Sequence, residues 1–195
     1  SSSWTSTPKT WPGQCTLSYD MGWTEKLSAA WRARAWLVAL KYSDRIITAQ
    51  SGNMNNFALD YDLTPRASQM VSSTLGNLLG DSHFIKDIRF APYIRAYVFE
   101  DHLQRPVVAV WCHKTDVDNG FADAPVAEAD FGSSLEAVID LMNCERAFSP
   151  GKLKFPVMSA PLFFRGKKGT TSKLVKAFEN AIIISGEGIS PVQFS

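Results

Sequence analysis

The sequence predicts an α+β chain: a mainly antiparallel β-sandwich preceded by a strand–helix–strand–helix segment. Three observations point there. The hydrophobic period changes near Gly80, from helical spacing before it to short β-rich runs after it. The clearest helix, opening at Thr64-Pro65, is apolar on one face and so packs on something large. The later runs are short and punctuated by Gly and Pro at Gly120, Gly132, Pro150-Gly151 and Gly166, which is the rhythm of a sandwich or barrel.

Each element follows from local chemistry. Residues 1–13 are rich in Ser, Thr and Pro and read as an irregular arm. Residues 15–19 form a short strand that runs into the turn Asp20-Met21-Gly22-Trp23. Thr24 caps a helix reaching about Tyr42, with Glu25 favourable in its first turn. Ala29, Ala33, Trp36, Leu37 and Leu40 share one side of it, and Leu27, Ala30, Trp31 and Val38 widen the apolar arc. A helix apolar over most of its circumference is covered on more than one side. Residues 45–49 read as a strand.

In the next helix Ala67, Met70, Val71, Thr74, Leu75, Leu78 and Leu79 keep helical spacing, and Gly80 ends it. Strands are then expected at 93–99, 106–111, 126–131, 137–141, 153–158 and 162–164, seven or eight in all with the closing strand at 182–184. The polar link 100–105 joins the first two as a hairpin. A short helix from Ser172 to about Ala181 carries Leu174, Val175, Phe178 and Ala181 on one face. The division near Gly80 gives residues 1–82 as an incomplete helical segment and 83–195 as the sandwich.

Composition narrows function. The chain has 195 residues, 45% of them hydrophobic and 20% charged, as in folded proteins. With 20 Lys+Arg and 19 Asp+Glu the net charge is +1, which supplies no general field for nucleic acid or an acidic membrane. No run approaches the roughly 20 apolar residues of a membrane span. The start, Ser1-Ser2-Ser3, has no Met, basic residues or apolar stretch, and reads as a processed or trimmed start rather than a signal peptide. Six Trp imply a heavy core or a surface on which sugars stack.

Motifs are sparse. Cys15, Cys112 and Cys144 offer no metal pair; they read as small buried residues, with one bridge open to them. His83, His102 and His113 lack metal spacing, and His102 falls in a solvated hairpin loop. Asp116-Val117-Asp118-Asn119-Gly120 departs from an EF-hand, because Gly comes one place early and the closing Glu is missing. A carbohydrate-type calcium site and a polar turn both stay open there. Gly166-Lys167-Lys168-Gly169-Thr170-Thr171 fails the phosphate-loop spacing and reads as a turn plus helix cap. Neither a metal nor a cofactor is expected.

One family joins these parts. Cys15-Thr16-Leu17-Ser18-Tyr19-Asp20-Met21-Gly22-Trp23 resembles the seventh strand and turn of retaining glycoside hydrolases built as a (β/α)8 barrel followed by a β-sandwich. That family usually writes Thr-Glu-x-Gly-Trp there. Residues 30–42, 45–50 and Leu63-Thr64-Pro65-Arg66-Ala67 with Leu78-Leu79-Gly80 are similar to the following helix, the eighth strand and the last helix. Tyr97-Val98-Phe99 with Val107-Val108-Ala109-Val110-Trp111 resembles the sandwich's first hairpin. Asp140-Leu141-Met142-Asn143 and Ser159-Ala160-Pro161-Leu162-Phe163-Phe164-Arg165-Gly166 resemble its later signatures.

The resemblance implies a βαβα remnant of a barrel, a glycan as ligand, and an upstream barrel segment or partner chain. It implies Asp20 as nucleophile or stabiliser, and Trp23 and Gln50 as residues lining the sugar site. It also suggests a secreted or periplasmic setting. Asp20 is one methylene shorter than the family's Glu, and a displacement of about 1 Å costs about a hundredfold. Retaining hydrolysis needs two carboxyls about 5–5.5 Å apart, and the general acid belongs to a fourth strand outside this chain. The expectation is therefore a portion of a hydrolase that is inactive alone. The alternative is a non-catalytic module that binds glycan or packs on a partner.

Overall fold

The computed structural model describes residues 25–43, 67–114, 117 and 123–185. It is α+β and mainly antiparallel, as the sequence predicts. Its helices are α1 (Glu25–Tyr42), α2 (Ala67–Leu79) and α3 (Thr171–Glu179). Its strands are β1 (Ser82–Ile88), β2 (Ile94–Asp101), β3 (Pro106–Cys112), β4 (Val126–Asp130), β5 (Leu135–Ile139), β6 (Glu145–Arg146), β7 (Lys152–Pro156), β8 (Leu162–Gly166) and β9 (Ile182–Ser185). No described helix is long and apolar enough to cross a membrane.

Two sheets form. The larger runs β1-β2-β3-β8-β5-β6 and the smaller runs β7-β4-β9, with antiparallel pairing throughout. Between them lies one core, built from Ile94, Val98, Val108 and Phe164 of the larger sheet and Ala127 and Phe155 of the smaller. Helix α3 closes it with Leu174 and Phe178. Phe164 is the hub: its ring meets those of Phe131, Phe155 and Phe178 at 5.4, 4.7 and 5.1 Å between centroids.

The larger sheet is buried on its other face as well. Tyr97, Phe99, Ala109, Trp111, Ile139 and Phe163 point away from the smaller sheet and share a second core with α1 and α2. All seven residues of β3 are consequently buried. This accounts for its unbroken Pro-Val-Val-Ala-Val-Trp-Cys sequence, since only a strand covered on both faces drops the apolar–polar alternation. The layers are therefore helices, six-stranded sheet and three-stranded sheet with α3 beside it.

Helix α1 supplies Ala29, Ala33 and Leu37 to this second core, with Trp36 and Leu40 packed around them. These are the residues its spacing predicts. In α2, Val71, Thr74, Leu75, Leu78 and Leu79 are buried, whereas Met70 is 42% exposed. Met70 stands about 100° around the helix from Val71, at the rim of the buried arc. Gly80 follows α2 because a Cβ there would lie 2.5 Å from the Gly76 carbonyl oxygen.

Two hairpins repeat one turn. Asp101 accepts the Leu103 and Arg105 backbone N–H groups at 2.9 Å each and the Arg105 Nε at 2.7 Å. Asp140 likewise accepts from the Met142 and Cys144 N–H groups at 2.9 Å each and from Arg146 Nη2 at 2.8 Å. Gln104 and Asn143, three residues after each Asp, both take left-handed φ values of 62° and 63°. The predicted link 100–105 is the first of these.

Departures from expectation are local. Strand β1 lies outside the expected set; its ladder shifts register between Phe84 and Lys86, so its side chains lose strict alternation. Strand β6 is two exposed residues without an apolar signal. Cys144 is exposed, against the buried reading, while Cys112 is buried. Thr170 precedes α3 without capping it; its hydroxyl donates to the Lys167 carbonyl at 2.6 Å. The Thr171 hydroxyl instead donates to Glu100, which places a carboxylate at the positive end of α3.

Candidate functional site

The site residues implied by sequence, Asp20, Trp23 and Gln50, lie outside the described residues, as do Cys15, the strands at 15–19 and 45–49, Thr24, Thr64 and Asp116. The described part is a helical layer fixed to a sheet, with a charge cluster where the two meet and a cleft beside them.

At the junction the charges centre on Asp87 of β1. Its Oδ2 lies 2.9 Å from Lys41 Nζ of α1 and 3.6 Å from guanidinium nitrogens of both Arg89 and Arg95. Lys41 also sits over the rings of Tyr97 and Phe84, 5.5 and 5.8 Å from their centroids. The hydrogen bond to Asp87 raises the Lys41 pKa above its ordinary value. Burial raises that of the Tyr97 phenol, with the Asp87 charge adding to it. Nearby, Arg34 of α1 is 7% exposed and donates from Nη1 to the Cys112 carbonyl at 3.1 Å. Asp87 offsets part of this positive charge, and the contacts bind layer to layer.

The Trp residues divide in the same way. Trp111 is a core residue, edge-on to Tyr97 at 4.8 Å. Trp31 is 45% exposed with the Arg34 guanidinium 4.8 Å from its ring centroid.

Both carboxylates of the first hairpin are engaged in contacts within the sandwich. Asp101 is committed to the turn and Glu100 to α3. Burial alone pushes the Asp101 carboxyl up, but the Arg105 N–H, the Arg105 guanidinium and the Leu103 N–H together bring it below its ordinary value. His102 is exposed in the same turn. Among the described residues no group of three or more His, Cys, Asp or Glu is placed to hold a metal ion.

The Gly166–Thr171 segment is a packed turn. A Cβ on Gly166 would stand 2.8 Å from Pro106 Cγ, 2.8 Å from Thr170 Oγ1 and 3.0 Å from Leu174 Cδ2. Gly169 has φ +72° and donates its N–H to the Gln104 carbonyl at 2.8 Å. Its backbone thus joins two loops of the sandwich.

A cleft of about 790 Å³ is bounded by the first described turns of α1 and α2, the β5–β6 hairpin and β7. Its walls are aliphatic apart from Phe148 and Phe155, and its charged residues are Lys26, Asp140, Arg146 and Lys154. Sequence reasoning missed it, because its walls come from segments far apart in the chain.

No family model and no curated protein matches the chain. Among solved structures it is similar to a candidate α-galactosidase from Bacteroides fragilis NCTC 9343, at 14% identity and a TM-score of 0.39. The likeness covers 72% of this chain and 29% of that one, so the chain spans less than a third of that protein. At that distance it assigns neither activity nor substrate.

Proposed function

We propose that this chain is the C-terminal portion of a glycoside hydrolase-like protein acting on glycans, and that the portion alone is not catalytic. In this reading residues 1–82 are the end of a (β/α)8 barrel and 83–195 its sandwich. One observation carries it: α1 and α2 seal the second face of the six-stranded sheet through a common core. Helices mounted on a sandwich through a shared core are what a barrel's last helices require when a sandwich follows them.

The chemistry follows from the resemblance. Asp20 stands where the nucleophile or charge stabiliser is needed, and Trp23 and Gln50 line the sugar site. The general acid comes from an upstream strand. Within the described residues Glu100 and Asp101 are held in sandwich contacts and do not supply it. Protonation of the leaving oxygen contributes about 10²–10⁴-fold, and without it turnover is lost.

A panel of aryl glycosides tests the reading. The 195-residue chain and its Asp20→Ala variant are both expected to release no aryl group. Turnover by the chain that disappears in Asp20→Ala would show a full site assembled within it and would overturn the proposal.

A further inference from the structure

We propose that the outward face of α1 seats the two strands expected at 15–19 and 45–49 as a parallel pair, so that α1 lies between two sheets. The inference rests on the strand–helix–strand part of the reading above and not on its chemistry. Trp31, Ala35, Val38 and Tyr42 recur at i, i+4, i+7 and i+11, which places them within about 60° of arc on one side of the helix. Trp31, Val38 and Tyr42 are 45%, 41% and 78% exposed, and Ala35 is exposed as well. They stand opposite Ala29, Ala33 and Leu37, which fill the core shared with the six-stranded sheet. Helix α1 is therefore apolar on two opposite faces, and a helix of that kind packs on both. The six-stranded sheet accounts for one of them.

The connections name the occupant of the other. Only Ser43 and Asp44 separate α1 from the strand expected at 45–49, and two residues reach at most about 7 Å. That strand turns back along α1. The face toward the six-stranded sheet is closed to it, because Ala33 and Leu37 are fully buried there. Residues 20–24 make the link from the strand expected at 15–19 equally local. Two strands joined through a helix in this way lie parallel and share one face of it. The lengths agree: the stripe from Trp31 to Tyr42 runs about 16 Å along the helix, and a five-residue strand is also about 16 Å long. Both strands run against α1. Asp20 and Gln50, the residues directly after them, therefore come together beside its Glu25 end.

Amide hydrogen exchange of the native gene product, read by mass spectrometry, tests this without a substrate. Residues 15–19 and 45–49 are expected to exchange at least about tenfold slower than unstructured peptides of the same sequence. Val38→Glu puts a charge beneath both strands and removes that protection, while β2 and β3 stay protected. Asn77→Glu, on the exposed side of α2, is the control and leaves both segments protected. If Val38→Glu misfolds, Val38→Ala, which trims the same contact, gives a smaller loss at the same two segments. Unprotected segments in the native product, or protection that neither Val38 variant lowers, would overturn the proposal. So would protection that appears only as protein concentration rises, the sign of a second copy on the stripe. Protected segments in a product that hydrolyses no glycoside would uphold this arrangement and remove only the chemistry proposed above.

Discussion

Lys41 of α1 and Asp87 of β1 tie the helical layer to the edge of the six-stranded sheet, Nζ to Oδ2 at 2.9 Å. Lys41 and Asp87 are 21% and 14% exposed, so solvent only partly screens the pair. Arg89 and Arg95 share the same carboxylate oxygen. Asp87 therefore holds three cations beside an edge strand whose register is already broken.

Removing Asp87 strands those cations. Asp87→Ala is expected to destabilise the chain by about 1–3 kcal/mol in urea unfolding. Lys41→Met removes one cation only and costs less. The pH dependence follows from the raised Lys41 pKa. Its contribution is fully present below the ordinary value of 10.5 and is lost as pH rises through the higher folded value. Lys41→Met should flatten that alkaline loss. An alkaline limb unchanged in the variant would show that the pair does not hold the layers together.

Thr74 is buried in α2 at 0% exposure, and its Oγ1 meets no hydrogen-bond partner among the described residues. Thr74→Val keeps the shape and removes an unsatisfied hydroxyl. It is expected to raise stability by about 1 kcal/mol. A loss of stability would mean that the hydroxyl is bonded, through water or otherwise.

Two glycines should respond in opposite directions. Gly166→Ala drives a methyl into the Pro106 ring, Thr170 and the fully buried Leu174, and overpacking of this kind costs about 1–3 kcal/mol. Gly76 lies inside α2, and among the described residues a methyl added to it would meet nothing within 4 Å beyond its own helix. Gly76→Ala should stabilise by about 0.5–1 kcal/mol. Thermal melts of the two variants decide both signs.

The paired turns carry an acid signature. The Asp101 carboxyl lies below its ordinary 3.8, so its stabilisation is present above that value and is lost as pH falls through the lower folded value. Asp101→Ala should cost about 1–2 kcal/mol at neutral pH and reduce the loss in acid. Unfolding curves between pH 2 and 7, taken at roughly unit steps, show whether the difference closes as the carboxyl protonates.

Much of this fold was legible because its signals are local. The spacing of Ala29, Ala33 and Leu37 and of Val71, Leu75 and Leu78 marked the buried faces of both helices. The unbroken apolar run of β3 carried a further message, burial on both faces, which a sandwich alone does not require. Strand β1 was hidden by its bulge, and β6 by its length and exposure. The insertion of β8 between β3 and β5 was not legible at all, since pairings such as Val108 with Phe164 are set by tertiary packing. The candidate site divides similarly. Asp20, Trp23 and Gln50 rest on resemblance and lie outside the described residues. The cleft is assembled from residues as distant as Lys26 and Leu162, for which no local pattern exists.

The central claim is that these residues complete a glycosidase site only together with an upstream barrel. Aryl glycoside turnover by the native gene product, with and without Asp20→Ala, tests it most directly. The account predicts release of the aryl group by the native product and a loss of about a hundredfold or more in Asp20→Ala. A native product that hydrolyses no glycoside of the panel, or one whose turnover Asp20→Ala leaves intact, would contradict it.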